Sequence, residues 1–427
     1  MKQAQLIQAI REGALDARLS ALYGKTALAE QKSRYEAAIA EFTKLYGERE
    51  NLSIFSVSGR SELLGNHTDH NHGCVIAAAV DLDIIAIAAP TDDTFIRVKS
   101  EGYPKDGVDI SVFTAPDKTQ FGNSAALIAG MCAGLSKNRY RVGGFVAYTT
   151  SAVPTGAGLS SSAAFEVMIG HIENHFYNNG AASSIEIAKI AQFAENEFFG
   201  KPCGLMDQLA CAVGGIIAID FENKEAPSVE KINFDLDAHG YRLCIVNTGG
   251  SHANLTDDYA AVPAEMAAVA AAFGQNVLRD LDEDTLLLKI SDLRKTVGDR
   301  AILRALHFFG ENRRVLTGKA ALDANDVTAF LATVLESGRS SYCYLQNVYA
   351  PGSPREQGIS LALCLAERYL RGKHGAFRVH GGGFAGTVQV FLKERDVADF
   401  CQMTNGIFGE DACTVLHIRA EGTAVIL

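Results

Sequence analysis

The stretch VPTGAGLSSSAAFEVMIG at residues 153–170 joins a glycine-rich turn to the start of a helix. A strand-like run, GGFVAYTTS, precedes it, and Pro154 with the small residues after it reverses the chain. Gly156 and Gly158 let backbone amides approach a ligand, because no Cβ atom stands in the way. Three serines open the helix at its positive end, which attracts phosphate oxygens: Ser160, Ser161 and Ser162. The pattern predicts either a phosphate-binding loop or a tight turn with a serine cap.

Two familiar phosphate-binding patterns do not describe this stretch. A Walker A loop has a lysine after its last glycine, whereas Leu159 follows Gly158 here. The glycines also lack the GxGxxG spacing of a dinucleotide-binding fold. The string GAGLSSSAA is nevertheless far more specific than a lone glycine pattern, and it indicates a different class of nucleotide-binding protein.

The composition excludes several classes of protein. The 427 residues are more than one hydrophobic core usually spans, which predicts two domains. A formal net charge of −11 argues against non-specific binding to nucleic acid. Nine scattered cysteines without a CxxC pair indicate a reducing compartment. The N-terminal residues lack the apolar core of a signal peptide, and no stretch reads as a membrane span, so we expect a cytoplasmic protein.

Hydrophobic periodicity predicts an α+β protein rather than a doubly wound sheet. Amphipathic helices are expected at residues 2–23 and 28–46, joined near Gly24. The remaining expected elements are β-rich runs from residue 54 to 113, a helix at 122–137, a strand ending in VAYTTS, helices at 160–178 and 184–198, strands GGIIAIDF and RLCIVNT, a helix-rich region up to 371, and strands TVQVFLK and TAVIL. The polar stretch 222–240 predicts the domain boundary. The expected units are therefore an N-terminal helical extension at 1–50 and two domains at 51–230 and 231–427.

The glycine-serine string resembles the phosphate loop of the GHMP kinases, and further segments resemble galactokinases among them. The galactokinase opening signature is approximately GRVNLIGEHTDYN, and this chain has GRSELLGNHTDHN at 59–71. The family string that ends in CGIMDQ has its counterpart in AENEFFGKPCGLMDQ at 194–208. Also similar are GGGFAG at 381–386 and RALHFFGENRRV at 304–315. The resemblance implies a two-domain GHMP kinase fold, with an ATP-dependent sugar 1-kinase site in the cleft between the domains.

The resemblance also implies a role for each matching residue. Asp207 would accept the proton of the sugar hydroxyl, with Arg60 beside it, and Mg²⁺ would bind Ser161 and Glu195. The expected sugar-binding residues are Glu62, Asn66, His67, Asp69, Gly204 and Tyr259. The expected ATP-binding residues are Pro154, Gly156, Ala157, Gly158, Leu159, Ser160, Ser161 and Ser162. The implied partners are a small sugar and ATP, with no nucleic acid and no membrane; the oligomeric state stays open, with a monomer as the simpler expectation.

Simpler interpretations exist for several of these residues. Asp207 follows Gly204 closely, as an aspartate that caps a helix would. Arg60 could be a surface residue at a strand end, and Glu195 a solvated residue of a helix. The cluster HTDHNH contains four possible zinc ligands, although their spacing along a loop defines no tetrahedral site: His67, Asp69, His70 and His72.

The opening signature departs from the family where the sugar would bind. The family glutamate before His-Thr-Asp, which contacts the 6-hydroxyl of the sugar, is Asn66 here, and the family asparagine four residues earlier is Glu62. If this stretch were helical, the two would lie one turn apart as a swapped pair that still binds galactose. Alternatively, the missing anion would admit galacturonate or arabinose. Further departures are His70, Val262, His380 and Ala385. A catalytically silent sensor of ATP and sugar is the non-enzymatic alternative.

Overall fold

The computed structural model describes residues 3–111, 115–154, 158–250 and 255–427. Two β-sheets carry helices on their faces, so the predicted α+β fold is confirmed. In these ranges the strands are β1 (Ser53–Leu64), β2 (Cys74–Pro90), β3 (Phe95–Ser100), β4 (Lys105–Asp109), β5 (Phe145–Ser151), β6 (Ile216–Asp220), β7 (Ser228–Ile232), β8 (Tyr241–Asn247), β9 (Gly375–His380), β10 (Thr387–Lys393), β11 (Cys413–Leu416) and β12 (Thr423–Val425).

The α-helices of the same ranges are α1 (Gln3–Arg11), α2 (Asp16–Tyr23), α3 (Leu28–Tyr46), α4 (Ser124–Lys137), α5 (Ser161–Asn178), α6 (Ser184–Phe193), α7 (Met206–Val213), α8 (Thr256–Ala271), α9 (Glu283–Leu288), α10 (Ile290–Thr296), α11 (Asp299–Asp323), α12 (Val327–Ser340), α13 (Gly358–Leu370) and α14 (Glu394–Phe408). Short π-helical turns extend α6 and α12, at Ala194–Phe199 and Ser341–Leu345. No helix in the described ranges offers the long uncharged stretch that a bilayer span requires.

The first sheet is built around the 17-residue strand β2. The strand order is β12-β1-β2-β5-β3-β4, and β6 with β7 extends the sheet from the first half of β2. The pairs are antiparallel except for β3 with β5, which is parallel. Successive residues of β2 point to opposite faces. Ile84 and Ala86 lie in a core shared with α4 to α7, whereas Ile85 and Ile87 lie in a core shared with α1 to α3. Because both faces are covered, the strand is almost continuously apolar.

The N-terminal helices differ from the prediction at one point. The single helix expected at 2–23 is two helices, α1 and α2, because the chain turns at residues 12–15. Gly13 has a φ of 94° in this turn, a backbone conformation that favours glycine. The second expected helix is confirmed as α3, which ends before Gly47. Together these helices cover the face of the first sheet opposite α4 to α7.

A buried carboxylate fixes the N-terminal helices to the sheet. Asp83 lies in β2 and is fully buried. Arg34 of α3 contacts its carboxylate at 2.6 Å, and Arg419 contacts it at 3.3 Å. The hydroxyl groups of Tyr23 and Ser56 also donate to it. Although burial alone would raise the pKa of Asp83, the Arg34 and Arg419 charges lower it below its ordinary value.

The second sheet has the strand order β11-β8-β10-β9 and is antiparallel throughout. One face packs against α13 and α14 through residues such as Val246 and Val390. The other face packs against α12, where Phe330 meets Phe391 edge to face at a centroid distance of 5.9 Å. Leu243, Phe330 and Phe391 belong to the same core as the helix-covered face of the first sheet, so the two sheets share one apolar interior.

The sheets do not follow the predicted division of the chain at residue 230. Strand β7, which completes the first sheet, runs across this boundary. Strand β12 returns to the first sheet and pairs with β1, with Phe55 opposite Val425. Residues 423–425 therefore belong structurally with the first sheet, and the two-domain division otherwise stays a prediction.

We expect Asp83→Asn to lower the free energy of unfolding by about 3–5 kcal/mol, because it leaves the buried charges of Arg34 and Arg419 without an anion. Since the pKa of Asp83 is lowered in the folded state, its contribution is complete above the unfolded pKa and is lost as the pH falls through the folded value. Urea unfolding at pH 7 and at lower pH measures both effects. Arg11→Ala is the control, because its exposed pair with Glu36 contributes within about 1 kcal/mol. An equal loss in both variants would contradict this account.

Candidate active site

An arginine and an aspartate from distant parts of the chain form a bidentate ion pair at the centre of the site. Arg60 lies within β1 rather than after it, and Asp207 lies in the first turn of α7. Arg60 donates from Nε to Oδ1 and from Nη2 to Oδ2 of Asp207, each at 2.7 Å. The arginine side chain is 8% exposed, whereas the aspartate side chain is 32% exposed and therefore accessible. The expected proximity of these two residues is confirmed.

The start of α5, which follows the predicted phosphate loop, contacts the same aspartate. The Ser160 hydroxyl donates to Asp207 Oδ2, and Arg60 Nη1 donates to the carbonyl of Gly158. Burial alone would raise the pKa of Asp207, but the Arg60 charge and the hydrogen bonds from Arg60 and Ser160 lower it. Asp207 is therefore a carboxylate at neutral pH, with an accessible side from which it can accept a hydrogen bond.

The predicted phosphate loop is fixed by its last residues. Ser160 has a φ of 58° and precedes α5, and Gly158 has a φ of 70°. A Cβ atom at Gly158 would lie 3.1 Å from the His380 ring. Leu159 is buried in the core, so its side chain anchors the loop, while Pro154 is exposed. The predicted ligands Gly156 and Ala157 lie outside the described residues.

Glu195 lies on the π-helical turn after α6, beside the start of α5. Its carboxylate accepts hydrogen bonds from Gln208 at 2.8 Å, from Lys201 at 2.9 Å and from the Ser162 hydroxyl at 3.4 Å. The serine that contacts Glu195 is thus Ser162, one residue beyond the predicted Ser161. A carboxylate and hydroxyl groups at a helix N-terminus form an oxygen donor set that suits Mg²⁺.

A second buried carboxylate, Glu166 of α5, supports this fit to a cation. Glu166 is fully buried, and its Oε1 has no hydrogen-bond partner in the structure. Its Oε2 accepts from Gln208 at 3.2 Å, the same amide that contacts Glu195. Burial first, and then the neighbouring Glu195 charge, raise the pKa of Glu166 well above its ordinary value. A cation bound here would be favoured by both carboxylates.

Two of the predicted sugar residues, Asp69 and Gly204, line a cavity of about 340 Å³, whereas Glu62, Asn66, His67 and Tyr259 lie outside its lining. A Cβ atom at Gly204 would lie 2.0 Å from Asp69 Oδ2, so a larger residue would displace the Asp69 carboxylate. His70, in place of the family tyrosine, also lines the cavity, and burial lowers its pKa to about 3. His67 donates from Nε2 to the carbonyl of Gly382 at 2.9 Å.

The pair Glu62 and Asn66 is not helical, which corrects the expected local structure. Glu62 belongs to β1 and Asn66 to the turn after it, but Asn66 Nδ2 still donates to Glu62 Oε1 at 3.2 Å. Arg378 of β9 forms a buried ion pair with Glu62 at 2.8 Å. Asn66 is fully buried and also bonds the carbonyl of Gly381 at 2.8 Å and the amide of Asn347 at 2.8 Å. The two residues thus form one paired, enclosed unit.

The glycine-rich segment 381–386 lies between Tyr259 and the turn at 65–68. The Tyr259 hydroxyl donates to the carbonyl of Gly383 at 2.8 Å, and its ring meets Phe384 edge to face at 5.3 Å. Among the departures from the family pattern, His380 is buried between Ser61 and Thr387, and Val262 lies in the core of the C-terminal helices. Neither side chain reaches the Arg60–Asp207 pair by a direct hydrogen bond.

Sequence reasoning assigned no role to two helix residues that hold the turn at 65–68. His307 and Glu311, one turn apart on α11, are both buried. His307 Nε2 donates to the carbonyl of Asn66 at 2.9 Å, and Glu311 accepts from the amide of Gly65 at 3.0 Å. No role was assigned from the sequence to Lys201 either, which donates to Glu195. The detectable signals were two polar residues at i and i+4 in an apolar helix face, and a lone lysine in the string FFGKPCG.

Comparison with known proteins gives consistent matches. Residues 126–215 match the family described as GHMP kinases N terminal domain, and residues 40–90 match the galactokinase galactose-binding signature. A galactokinase of Streptomyces coelicolor is 32% identical over 363 residues, which are 83% of this chain and 88% of that protein. A galactokinase of Actinobacillus pleuropneumoniae is 29% identical over 385 residues, covering 87% and 95% of the two chains.

Solved structures show the same fold. Lactococcus lactis galactokinase complexed with galactose superimposes with a TM-score of 0.74 at 23% identity, covering 90% of this chain and 98% of that chain. Mevalonate kinase of Methanococcus jannaschii superimposes with a TM-score of 0.61 at 16% identity, covering 87% and 99%.

We expect Arg378→Met to lower the free energy of unfolding by about 3–5 kcal/mol, because Glu62 would remain as an unpaired buried anion. The double variant Arg378→Met with Glu62→Gln should recover most of that loss, because no buried charge is left unpaired. Urea unfolding of the two single variants and the double variant measures the coupling between the residues. Additive losses would show that the ion pair does not stabilise the turn.

Proposed function

The chain belongs to the galactokinase family of GHMP kinases, and from this membership we propose that it transfers the γ-phosphoryl group of ATP to the C1 hydroxyl of D-galactose. The observation that carries the proposal is the Arg60–Asp207 pair. Asp207 accepts a hydrogen bond from Ser160 at the start of α5, and its charge acts on Asp69, which lines the cavity with Gly204. A sensor without catalytic activity would not need a paired, accessible carboxylate at the meeting point of the two binding regions.

Phosphoryl transfer follows from this arrangement. The C1 hydroxyl oxygen attacks the γ-phosphorus, the bond from that phosphorus to the β–γ bridging oxygen breaks, and ADP leaves. Asp207 orients the hydroxyl by accepting its hydrogen bond and takes up its proton. Because the pKa of Asp207 is lowered, the carboxylate is a weak base, and proton transfer follows rather than precedes bond formation to phosphorus. A loose transition state requires positioning and charge stabilisation more than a strong base.

The nucleotide would bind along the predicted loop 154–162. Free N–H groups at the start of the 18-residue helix α5 provide donors for phosphate oxygens. We assign the Mg²⁺ site to Glu195 and the hydroxyl group of Ser161 or Ser162. Glu166, which shares the Gln208 amide with Glu195, would also favour a cation there. When bound, Mg²⁺ would neutralise phosphate charge as the bridging oxygen leaves. Arg60 would stabilise the charge of the transferring group from the opposite side.

The sugar would bind between His67, Asp69, the backbone at Gly204 and Tyr259. For the 6-hydroxyl, we retain the swapped pair Glu62 and Asn66 as the hypothesis. The two side chains bond each other directly, but both are buried and lie outside the lining of the cavity with Asp69 and Gly204. Arg378 compensates the charge of Glu62, so the Glu62–Asn66 pair carries no uncompensated negative charge. Galacturonate and arabinose therefore belong in the substrate panel beside galactose.

A cytoplasmic location is part of the proposal. All nine cysteines are free thiols, which fits the reducing compartment where ATP is available. The expectation of a monomer stays a prediction.

The decisive test is ADP release from MgATP with galactose, galacturonate, arabinose, glucose and N-acetylgalactosamine. We expect turnover on galactose, and Asp207→Asn should lower kcat by about 10²–10⁴-fold, because the proton acceptor is lost. Asp299→Asn, a surface change at an exposed pair with Arg294, is the matched control and should be unaffected. Turnover on galacturonate or arabinose alone would keep the reaction and overturn the sugar. ATP binding without turnover on any sugar would overturn the proposal and favour the sensor.

A further inference from the structure

The loop between the Glu195 turn and α7 carries a lysine that the family comparison does not explain. The Lys201 ammonium lies 2.9 Å from Glu195 Oε1, and the backbone N–H of Lys201 donates to the carbonyl of the same glutamate at 3.1 Å. The next turn of the loop is also fixed, because the amide of Cys203 donates to the Asn196 side chain at 2.7 Å. The backbone of the loop is therefore held while the lysine side chain, 61% exposed, remains free to reorient.

Lys201 lies next to the residues at the start of α5 that are predicted to bind phosphate. Glu195 Oε1, which it contacts, also accepts from Ser162 in the first turn of α5. Ser160, two residues earlier, contacts Asp207. The ammonium thus lies beside the helix start where the phosphates of ATP would bind, close to the residue proposed to accept the proton.

The carboxylates around the phosphate-binding region need cations that compensate their negative charge. Glu195 and Asp207 are two carboxylates next to the region where polyanionic phosphates would bind. Arg60 compensates one of the two anions and Lys201 the other. A phosphate group that entered without these cations would meet two uncompensated carboxylates.

We infer that Lys201 is a phosphate-binding residue of this kinase, whose ammonium moves from Glu195 to an oxygen of the γ-phosphoryl group when MgATP binds. This inference rests on the proposed function. In the empty site Lys201 compensates Glu195, and in the nucleotide complex Mg²⁺ takes over that carboxylate while the lysine compensates the phosphate.

The test compares Lys201→Met and Lys201→Arg with the parent chain. Lys189→Met on α6 is the matched control, because its ammonium bonds only a surface carbonyl, that of Glu225, at 2.8 Å. Calorimetric titration with a non-hydrolysable ATP analogue, in the presence of Mg²⁺ and without sugar, measures nucleotide affinity without turnover. We expect Lys201→Met to weaken this affinity and to lower kcat by about ten- to a hundredfold each, as for a lost charge-assisted hydrogen bond, with the KM for sugar unchanged. Lys201→Arg should restore part of both.

Affinity and kcat within twofold of the parent chain in Lys201→Met would overturn the inference. The same would follow if Lys189→Met produced equal losses. An inactive parent chain would overturn the proposed function, whereas the titration with the analogue and Mg²⁺ would still decide the role of Lys201.

A second, independent observation concerns three cysteines far from this chemistry in sequence. The sulfur atoms of Cys244, Cys401 and Cys413 all lie within 4.8 Å of one another, and those of Cys401 and Cys413 are 3.0 Å apart. Cys244 lies in β8, Cys413 begins the adjacent β11, and Cys401 comes from α14, which packs over both strands. Asn405 of α14 fixes this contact by accepting from the amide of Cys413 at 2.8 Å.

The structure assigns these cysteines as a binding site for one thiophilic divalent cation such as Zn²⁺. Thiolates that share such an ion with bonds of about 2.3 Å have sulfurs about 4 Å apart, so binding would require the Cys401 and Cys413 sulfurs to separate from their present 3.0 Å. Cys244 is fully buried, whereas Cys401 and Cys413 are partly exposed, so water can fill the fourth position. Binding would release the thiol protons and would join α14 to β8 and β11.

Titration of the fully reduced chain with Cd²⁺ tests this site through the sulfur-to-metal absorption band. We expect one ion per chain, a raised Tm, and loss of both effects in Cys401→Ser. The controls Cys343→Ser and Cys364→Ser remove exposed cysteines outside the cluster and should bind as the parent chain does. No absorption band, or equal binding by Cys401→Ser, would overturn the assignment, as would a Cys401–Cys413 disulfide that persists under reducing conditions.

Discussion

Strand β1 imposes the central constraint on this molecule, because it buries two opposite charges two residues apart. Arg60 and Glu62 lie in a strand whose residues are all buried, and each charge needs a partner at hydrogen-bonding distance. The partner of Arg60 comes from α7, and the partner of Glu62 comes from β9 in the second sheet. One strand therefore fixes Asp207 on one side and the second sheet on the other.

The sequence predicted the fold class and most elements, since their apolar periodicity is strong. The main errors fall where buried polar residues interrupt that periodicity. The segment RSELL was not recognised as the continuation of a strand, because Arg60 and Glu62 break the apolar alternation and their partners lie in distant segments. The break between α1 and α2 was missed for a different reason: Gly13 ends a helix whose apolar spacing continues on the other side.

The candidate site could be predicted from the sequence only by resemblance. No periodicity relates Arg60 to Asp207, and only the structure shows that Ser162, not Ser161, contacts Glu195. The sequence shows polar residues at three further positions, but their contacts are visible only in the structure: Lys201, His307 and Glu311. The physical reason is common to all of them: a side-chain role that depends on a partner remote in sequence leaves no local pattern. The roles of the site residues remain proposals, and the structure describes the positions of all of them except Gly156 and Ala157.

The pairing of β12 with β1 has a consequence for biosynthesis. Strand β1 emerges from the ribosome early, whereas residues 423–425 are translated near the end of this sequence, and until then one edge of the first sheet stays unpaired. Long-range strand pairing of this kind slows folding and leaves an exposed edge on the nascent chain. The first sheet therefore cannot be completed before β12 has been translated, and chaperones that bind the nascent chain before that point would meet a sheet that still lacks this strand.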